Sequence, residues 1–141
     1  MYMRFLSFHC DNFKYTTTKR SRSKVYEELT EDNKENMLEN VIVLFISIEK
    51  QDETRPDFIK KGIHEIKKII KQLKVTNIII LSFAHLFGQL SSPQFGLDSL
   101  KEITSILKGE GLTVVRPPFG WFNELEMKAK GHPLSRISRL I

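Results

Sequence analysis

Two unbroken apolar runs constrain this chain most. Residues 41–48 read Val-Ile-Val-Leu-Phe-Ile-Ser-Ile, and residues 77–83 read Asn-Ile-Ile-Ile-Leu-Ser-Phe. Each has the length of a strand, is rich in β-branched residues and lacks the polar alternation of a half-exposed strand. Such a run suits a strand covered on both faces. Between them, Ile59, Ile63, Ile66, Ile70 and Leu73 recur at spacings of three and four. This predicts a helix over 57–74 that buries one stripe, with Lys60, Lys61, Lys67, Lys68 and Lys71 as its solvated face. A second helix opens at Pro93 and Gln94, carries Leu97, Leu100, Ile103 and Leu107 on one face, and stops at Gly109 and Gly111.

The remaining segments are shorter. Residues 3–8 and 13–18 are predicted strands, and Asp11-Asn12 between them predicts a hairpin turn. Residues 19–24 are an exposed connection, and 25–40 form a polar, Glu-rich stretch with weak helical periodicity. Residues 51–56 are a loop, 112–115 a short strand, and 124–130 a half-exposed strand with Leu125, Met127 and Ala129 alternating with charges. Gly131-His132-Pro133 is expected to turn into a C-terminal helix. The order is that of an α/β protein: one mostly central sheet with helices packed on it.

Composition narrows the class. The 141 residues suffice for one ordinary domain. Hydrophobic residues make up 40% and charged residues 28%, a globular mix. No apolar run approaches the roughly 20 residues of a bilayer span, and no signal-peptide pattern opens the chain. A cytoplasmic location and no membrane association are therefore expected. The single cysteine, Cys10, excludes an internal disulfide. The net charge of +5 favours phosphate-bearing partners only weakly. Its cations cluster, with Lys19, Arg20, Arg22 and Lys24 in one stretch and Lys128, Lys130, Arg136 and Arg139 near the C-terminus.

Standard catalytic signatures are missing. There is no phosphate loop, no dinucleotide fingerprint and no nucleophile elbow. His9, His64, His85 and His132 are scattered without zinc spacing, so no metal and no cofactor are expected. Cys10 reads as a small core residue rather than a nucleophile. Three segments have unusual chemistry. Ser82-Phe83-Ala84-His85-Leu86 sets a histidine just past the end of a buried strand, where open α/β sheets bind ligands. Pro117-Pro118-Phe119-Gly120-Trp121-Phe122 is a rigid aromatic loop, apt for stacking or for walling a pocket. Lys130-Gly131-His132-Pro133-Leu134 joins a cation, a permissive turn and another imidazole.

At these residues the sequence resembles the N-terminal editing domain of archaeal threonyl-tRNA synthetase, whose fold is like that of D-aminoacyl-tRNA deacylases. The resemblance spans nearly the whole chain. It rests on His9 and Asp11, on Phe45-Ile46-Ser47-Ile48-Glu49-Lys50, on Phe83-Ala84-His85-Leu86, on Pro93, on Pro118-Phe119-Gly120, and on residues 130–134. It implies that 1–141 is an aminoacyl-tRNA deacylase domain, the N-terminal part of a longer chain or of a separate editing subunit. The substrate implied is threonine tRNA wrongly charged with serine. The physical need is clear: serine lacks one methyl, worth only ~1–3 kcal/mol in a pocket, so a second, smaller pocket must do the sorting.

The resemblance also implies roles. Ile48, Ala84 and His85 would wall the pocket, and Phe119, Gly120 and Phe122 would close over the terminal adenosine. His85 is the candidate catalytic residue, with the tRNA 2′-hydroxyl assisting attack of water on the ester. Trp121, Lys130 and His132 are candidate tRNA contacts. Two positions depart from the family pattern: Asn123 stands where relatives carry a lysine, and Arg136 where they carry a glutamate in the last helix. Both remain candidate substrate-binding positions, although a guanidinium cannot accept a bond from the substrate's ammonium. A homodimer is implied, as is a catalytic synthetase subunit or core as partner. Two other readings stay open: a non-catalytic module binding the tRNA acceptor end, and a D-aminoacyl-tRNA deacylase.

Overall fold

The first 20 residues do not make a hairpin. In the computed structural model, which describes residues 2–84, 86 and 89–141, they form one long strand, β1 (Arg4–Arg20). The next strand, β2 (Glu35–Ser47), lies antiparallel to it from Arg4↔Ser47 to Thr16↔Glu35. The chain passes through a short 3-10 helix (Lys50–Thr54) to α1 (Phe58–Leu73), β3 (Asn77–Ser82), α2 (Pro93–Gly109), β4 (Thr113–Val115), β5 (Trp121–Ala129) and β6 (Arg136–Leu140). The sheet order is β4-β3-β2-β1-β5, with β6 also pairing β1. β2, β3 and β4 run parallel, and β1 has β6 beside its first half and β5 beside its second.

Asp11-Asn12 is a bulge rather than a turn. The β1–β5 register shifts by one residue between Cys10 and Asn12. The buried positions accordingly change parity, from Cys10 to Phe13 and Tyr15. On β2 the parity changes at the same level, where Asn40 takes a positive φ of 43°. One extra residue bends a strand without ending its ladder, and short Asx side chains tolerate the conformation. Sequence alone cannot tell this bend from a turn, because both use the same residues.

The bend gives the sheet two differently covered faces. On one, Phe5, Ile42, Leu44, Ile78 and Ile80 meet the buried stripes of α1 (Ile63, Ile66, Ile69) and α2 (Leu100, Ile103, Leu107). On the other, Val43, Phe45, Ile79 and Leu81 pack with Phe13, Tyr15 and Leu38 from beyond the bend. The sheet thus curls over its own second face. That explains why 41–48 and 77–83 carry no polar alternation: both faces are buried.

Two further expectations are corrected. Within residues 25–40 no helix forms. Residues 35–40 are the start of β2, because the distal half of β1 needs a hydrogen-bonding partner. They are preceded by a turn that Thr30 and Asn33 close through reciprocal side-chain bonds. Residues 136–140 are likewise a strand rather than a helix. They occupy the free edge of β1 at Arg4–Phe8, and Ile137 and Ile141 reach the helix-side core. Arg136 therefore lies on an edge strand. The α/β class, both helices and the strands at 77–82 and 113–115 agree with the sequence expectations, whereas β5 begins at Trp121, three residues before the expected strand, and takes Trp121 and Phe122 out of the aromatic loop to pair with β1.

Candidate active site

The parallel strands point their C-terminal ends at one cavity of about 370 Å³. Ile46, Ser47 and Ile48 at the end of β2 and Leu81 to Ala84 at the end of β3 make its floor. The entry to α2 adds Ser91, Ser92 and Pro93, and the loop 116–120 with the start of β5 makes the opposite wall. This is where an open α/β sheet leaves a crevice for ligand.

Local chemistry fixes each wall. Ser92 caps α2, accepting from Phe95 N–H (3.3 Å) with Pro93 in the first helical turn. The Ile48 carbonyl accepts from Ser91 N–H (3.0 Å), and Phe83 N–H donates to the Ile46 carbonyl (2.9 Å), so both strand ends are held to their neighbours. Ser47 Oγ, buried, donates to the buried Glu49 carboxylate (3.2 Å). Asn123 Oδ1 accepts from Thr17 Oγ1 (2.8 Å), which orients its amide.

The aromatic wall is held by a strap, residues 21–28. Its side chains alternate: Ser21, Ser23, Val25 and Glu27 are partly buried, while Arg22, Lys24, Tyr26 and Glu28 are exposed. Glu27 is the clasp. Its carboxylate accepts from Arg116 Nη1 (2.5 Å), Arg116 Nη2 (2.7 Å) and Phe119 N–H (2.8 Å). Its own N–H donates to the Phe119 carbonyl (3.0 Å), and its carbonyl accepts from Trp121 Nε1 (2.8 Å). Burial alone would raise the Glu27 pKa, but the bonds from Arg116 and Phe119 outweigh it and hold the carboxyl below the usual glutamate range. Ser21 N–H reaches the Gly120 carbonyl (2.9 Å). Gly120 has a φ of +86°, and a Cβ there would lie 2.6 Å from Tyr26 Cβ. Glycine is needed at that position for both reasons.

Of the residues singled out in the sequence, the cavity brings together Ile48, Ala84, Phe119, Gly120, Trp121, Phe122 and Asn123. His85 lies outside the described residues. Lys130, His132 and Arg136 are not among the lining residues; they sit along the other stretch of β1. Lys130 donates to Asp11 (2.5 Å) and so keeps the Asp11 carboxyl below its ordinary range. His132 belongs to a chain of bonds across the bend. Leu134 N–H donates to His132 Nδ1 (3.2 Å), which places the proton of a neutral ring on Nε2, 2.9 Å from His9 Nδ1. His9 Nε2 in turn donates to Asn40 Oδ1 (2.9 Å). These motif residues brace the curled sheet. Cys10 is buried beside them, and burial first, then Asp11, pushes its thiol up to about 11. That is a core thiol, not a nucleophile.

Sequence reading missed Glu27, Arg116, Ser21 and Ser23. The Glu27–Arg116 pair spans 89 residues, and nothing local announces it. Residues 21–25, where serine and valine alternate with Arg22 and Lys24, were the only local signal.

Among the described lining residues Arg116 is the only ionisable side chain, and its guanidinium is engaged by Glu27. The cavity can therefore hold and screen a small group, offering hydroxyls, amides and aromatic faces. An α/β domain with a mixed six-stranded sheet and a ligand cavity at its strand ends is the class that fold and site define. Among solved structures, the c-Myc DNA unwinding element binding protein superposes with a TM-score of 0.61, covering 96% of this chain and 97% of that one at 11% identity, which shows the fold alone.

Sequence comparison then fixes the family. Residues 3–141 match the archaea-specific editing domain of threonyl-tRNA synthetase, and the chain belongs to that family. It is 40% identical over 140 residues to the threonine–tRNA ligase of Thermococcus sibiricus, and 39% identical over 140 residues to that of Methanocaldococcus jannaschii. Both matches cover 99% of this chain but 22% of the relative, so the chain spans about a fifth of the curated relatives' length. No helix among the described residues is long and apolar enough to cross a membrane.

Proposed function

We propose that this domain hydrolyses the ester of serine wrongly attached to threonine tRNA and spares the threonyl ester. The observation that carries the reading is the convergence of Ile48, Ala84, Phe119, Gly120, Trp121, Phe122 and Asn123 on one cavity in a chain of this family. The strand ends would take the aminoacyl group, and Phe119 and Phe122 the terminal adenosine. By fixing the adenosine wall, the Glu27 clasp would hold the aminoacyl group in register against the packed strand ends, which are suited to rejecting one extra methyl by overlap because a packed floor cannot move aside at low cost. His85, which follows Ala84 in the chain, would screen the amino acid's side chain. The described lining offers no carboxylate, imidazole or thiol as base, which is in keeping with the tRNA 2′-hydroxyl assisting the attacking water.

As in its relatives, the domain would work beside a synthetic part, on the same or a separate chain, and residues 1–141 would be the N-terminal piece. The homodimer is likewise a proposal: β5 pairs only β1 in the path and exposes Leu125 and Met127. The test is paired deacylation. Ser-tRNA(Thr) should lose its amino acid well above background while Thr-tRNA(Thr) does not, and a 2′-deoxy terminal adenosine carrying 3′-serine should nearly abolish turnover. Equal, background-level loss of both esters would reject editing. It would favour the acceptor-end binding module, the reading to which Asn123, with its amide oxygen already bound to Thr17, gives weight.

A further inference from the structure

The strap that closes the cavity carries its cations outward. Ser21 and Ser23 line the cavity, so Arg22 and Lys24, which alternate with them, project from the strap's outer face beside it, with Lys19 just before them on β1. All three are exposed, and none makes an ion pair or hydrogen bond with a described residue. The neighbouring cations are committed to structure. Arg116 is bound by Glu27, and Lys130, at the other stretch of β1, by Asp11. Arg20 lies 3.4 Å over the Tyr26 ring and donates to the Ser23 carbonyl (2.9 Å), bracing the strap.

Exposed aromatic rings accompany the free cations. Phe122, on the cavity wall, is 53% exposed, and Tyr26 on the strap is 43% exposed. Arg22 and Lys24, two apart on the extended strap, stand about 6.6 Å from one another, comparable with the step between successive phosphates of an extended single strand. Unpaired cations in a row beside exposed rings are how proteins hold single-stranded nucleic acid, with charge tracking the backbone and rings taking bases.

We propose that Lys19, Arg22 and Lys24 are the phosphate-contacting rim of the cavity, and that they hold the single-stranded 3′ end of an RNA whose last nucleotide enters it. The identity of that RNA rests on the editing reading; the contact itself does not. These residues, and not Lys130 or His132, then carry the electrostatic part of the affinity.

The probe is an uncharged acceptor-stem hairpin RNA ending in single-stranded CCA, bound to the 141-residue chain across a salt series. No ester is involved, so binding is read whether or not the protein hydrolyses anything. Each phosphate contact on a single strand contributes about 0.7 to the slope of log affinity against log salt, so K19Q/R22Q/K24Q should lower the slope by about 2 and weaken binding ~10- to 100-fold at 0.1 M salt. The control K60Q/K71Q/K108Q removes the same charge from exposed helix positions and should leave the slope unchanged. Removing the CCA overhang should erase the difference between wild type and the strap variant. An unchanged slope in the strap variant, or an equal fall in the control, overturns the proposal. A lowered slope in a protein that hydrolyses neither ester would reject editing and leave the rim standing.

Discussion

Replacing Glu27 by alanine removes the clasp between strap and aromatic wall, and its effect can be estimated from the geometry. Three charge-assisted bonds disappear. They leave behind the Phe119 N–H and an Arg116 guanidinium whose side chain is only 13% exposed, opposite a Glu27 side chain 22% exposed. Breaking a fully buried pair costs about 3–5 kcal/mol, and partial access to water reduces that here to about 2–3 kcal/mol. In a chain of 141 residues this lowers the melting temperature by roughly 6–9 °C. Glu27→Gln keeps one neutral acceptor and should cost about 1–2 kcal/mol.

Trp121 offers a direct local probe, because it is the only tryptophan and its indole N–H donates to the Glu27 carbonyl. Opening of the strap should red-shift its emission even where global stability is little changed. In the editing assay, Glu27→Ala should raise KM and erode discrimination against threonine, with Glu27→Gln intermediate. The pH dependence has a definite sign. The folded-state pKa of Glu27 is lowered, so its stabilisation is present above the unfolded glutamate range and is lost as pH falls through the lower folded value. The wild-type advantage over Glu27→Gln should therefore shrink in acid. Wild-type melting, Trp121 emission and discrimination in Glu27→Ala would refute the idea that the clasp positions the wall.

Two other predictions follow from single positions. Gly120→Ala forces a Cβ to 2.6 Å from Tyr26 Cβ and 2.8 Å from the Val25 carbonyl at a φ of +86°; thermal unfolding should show a loss of about 2–4 kcal/mol, with Trp121 emission shifted as in Glu27→Ala. Asp52 is buried, and burial raises its pKa. Wild type should thus lose stability as pH rises from the unfolded aspartate range through the raised folded value. Asp52→Asn should flatten that slope in denaturant melts at a series of pH values.

The sequence by itself determined the parts of this protein whose physics is local. Ile59 to Leu73 and Leu97 to Leu107 specify helices because a helix stripe is a property of spacing. Residues 41–48 and 77–83 announce strands buried on both faces because they are apolar without polar alternation. The pocket walls at Ile48, Ala84 and residues 117–123 were legible because strand ends and a Pro-Pro-aromatic loop constrain the chain wherever they occur, and because their order resembles a known family. What only the tertiary structure decided depends on pairing at long range. Asp11-Asn12 became a bend because the partner strands continue past it; residues 35–40 and 136–140 became strands because β1 offered them edges. Lys130 and His132 went to the bend rather than the cavity. Glu27 became the clasp of the cavity through Arg116, 89 residues away, a contact that no neighbouring residue encodes.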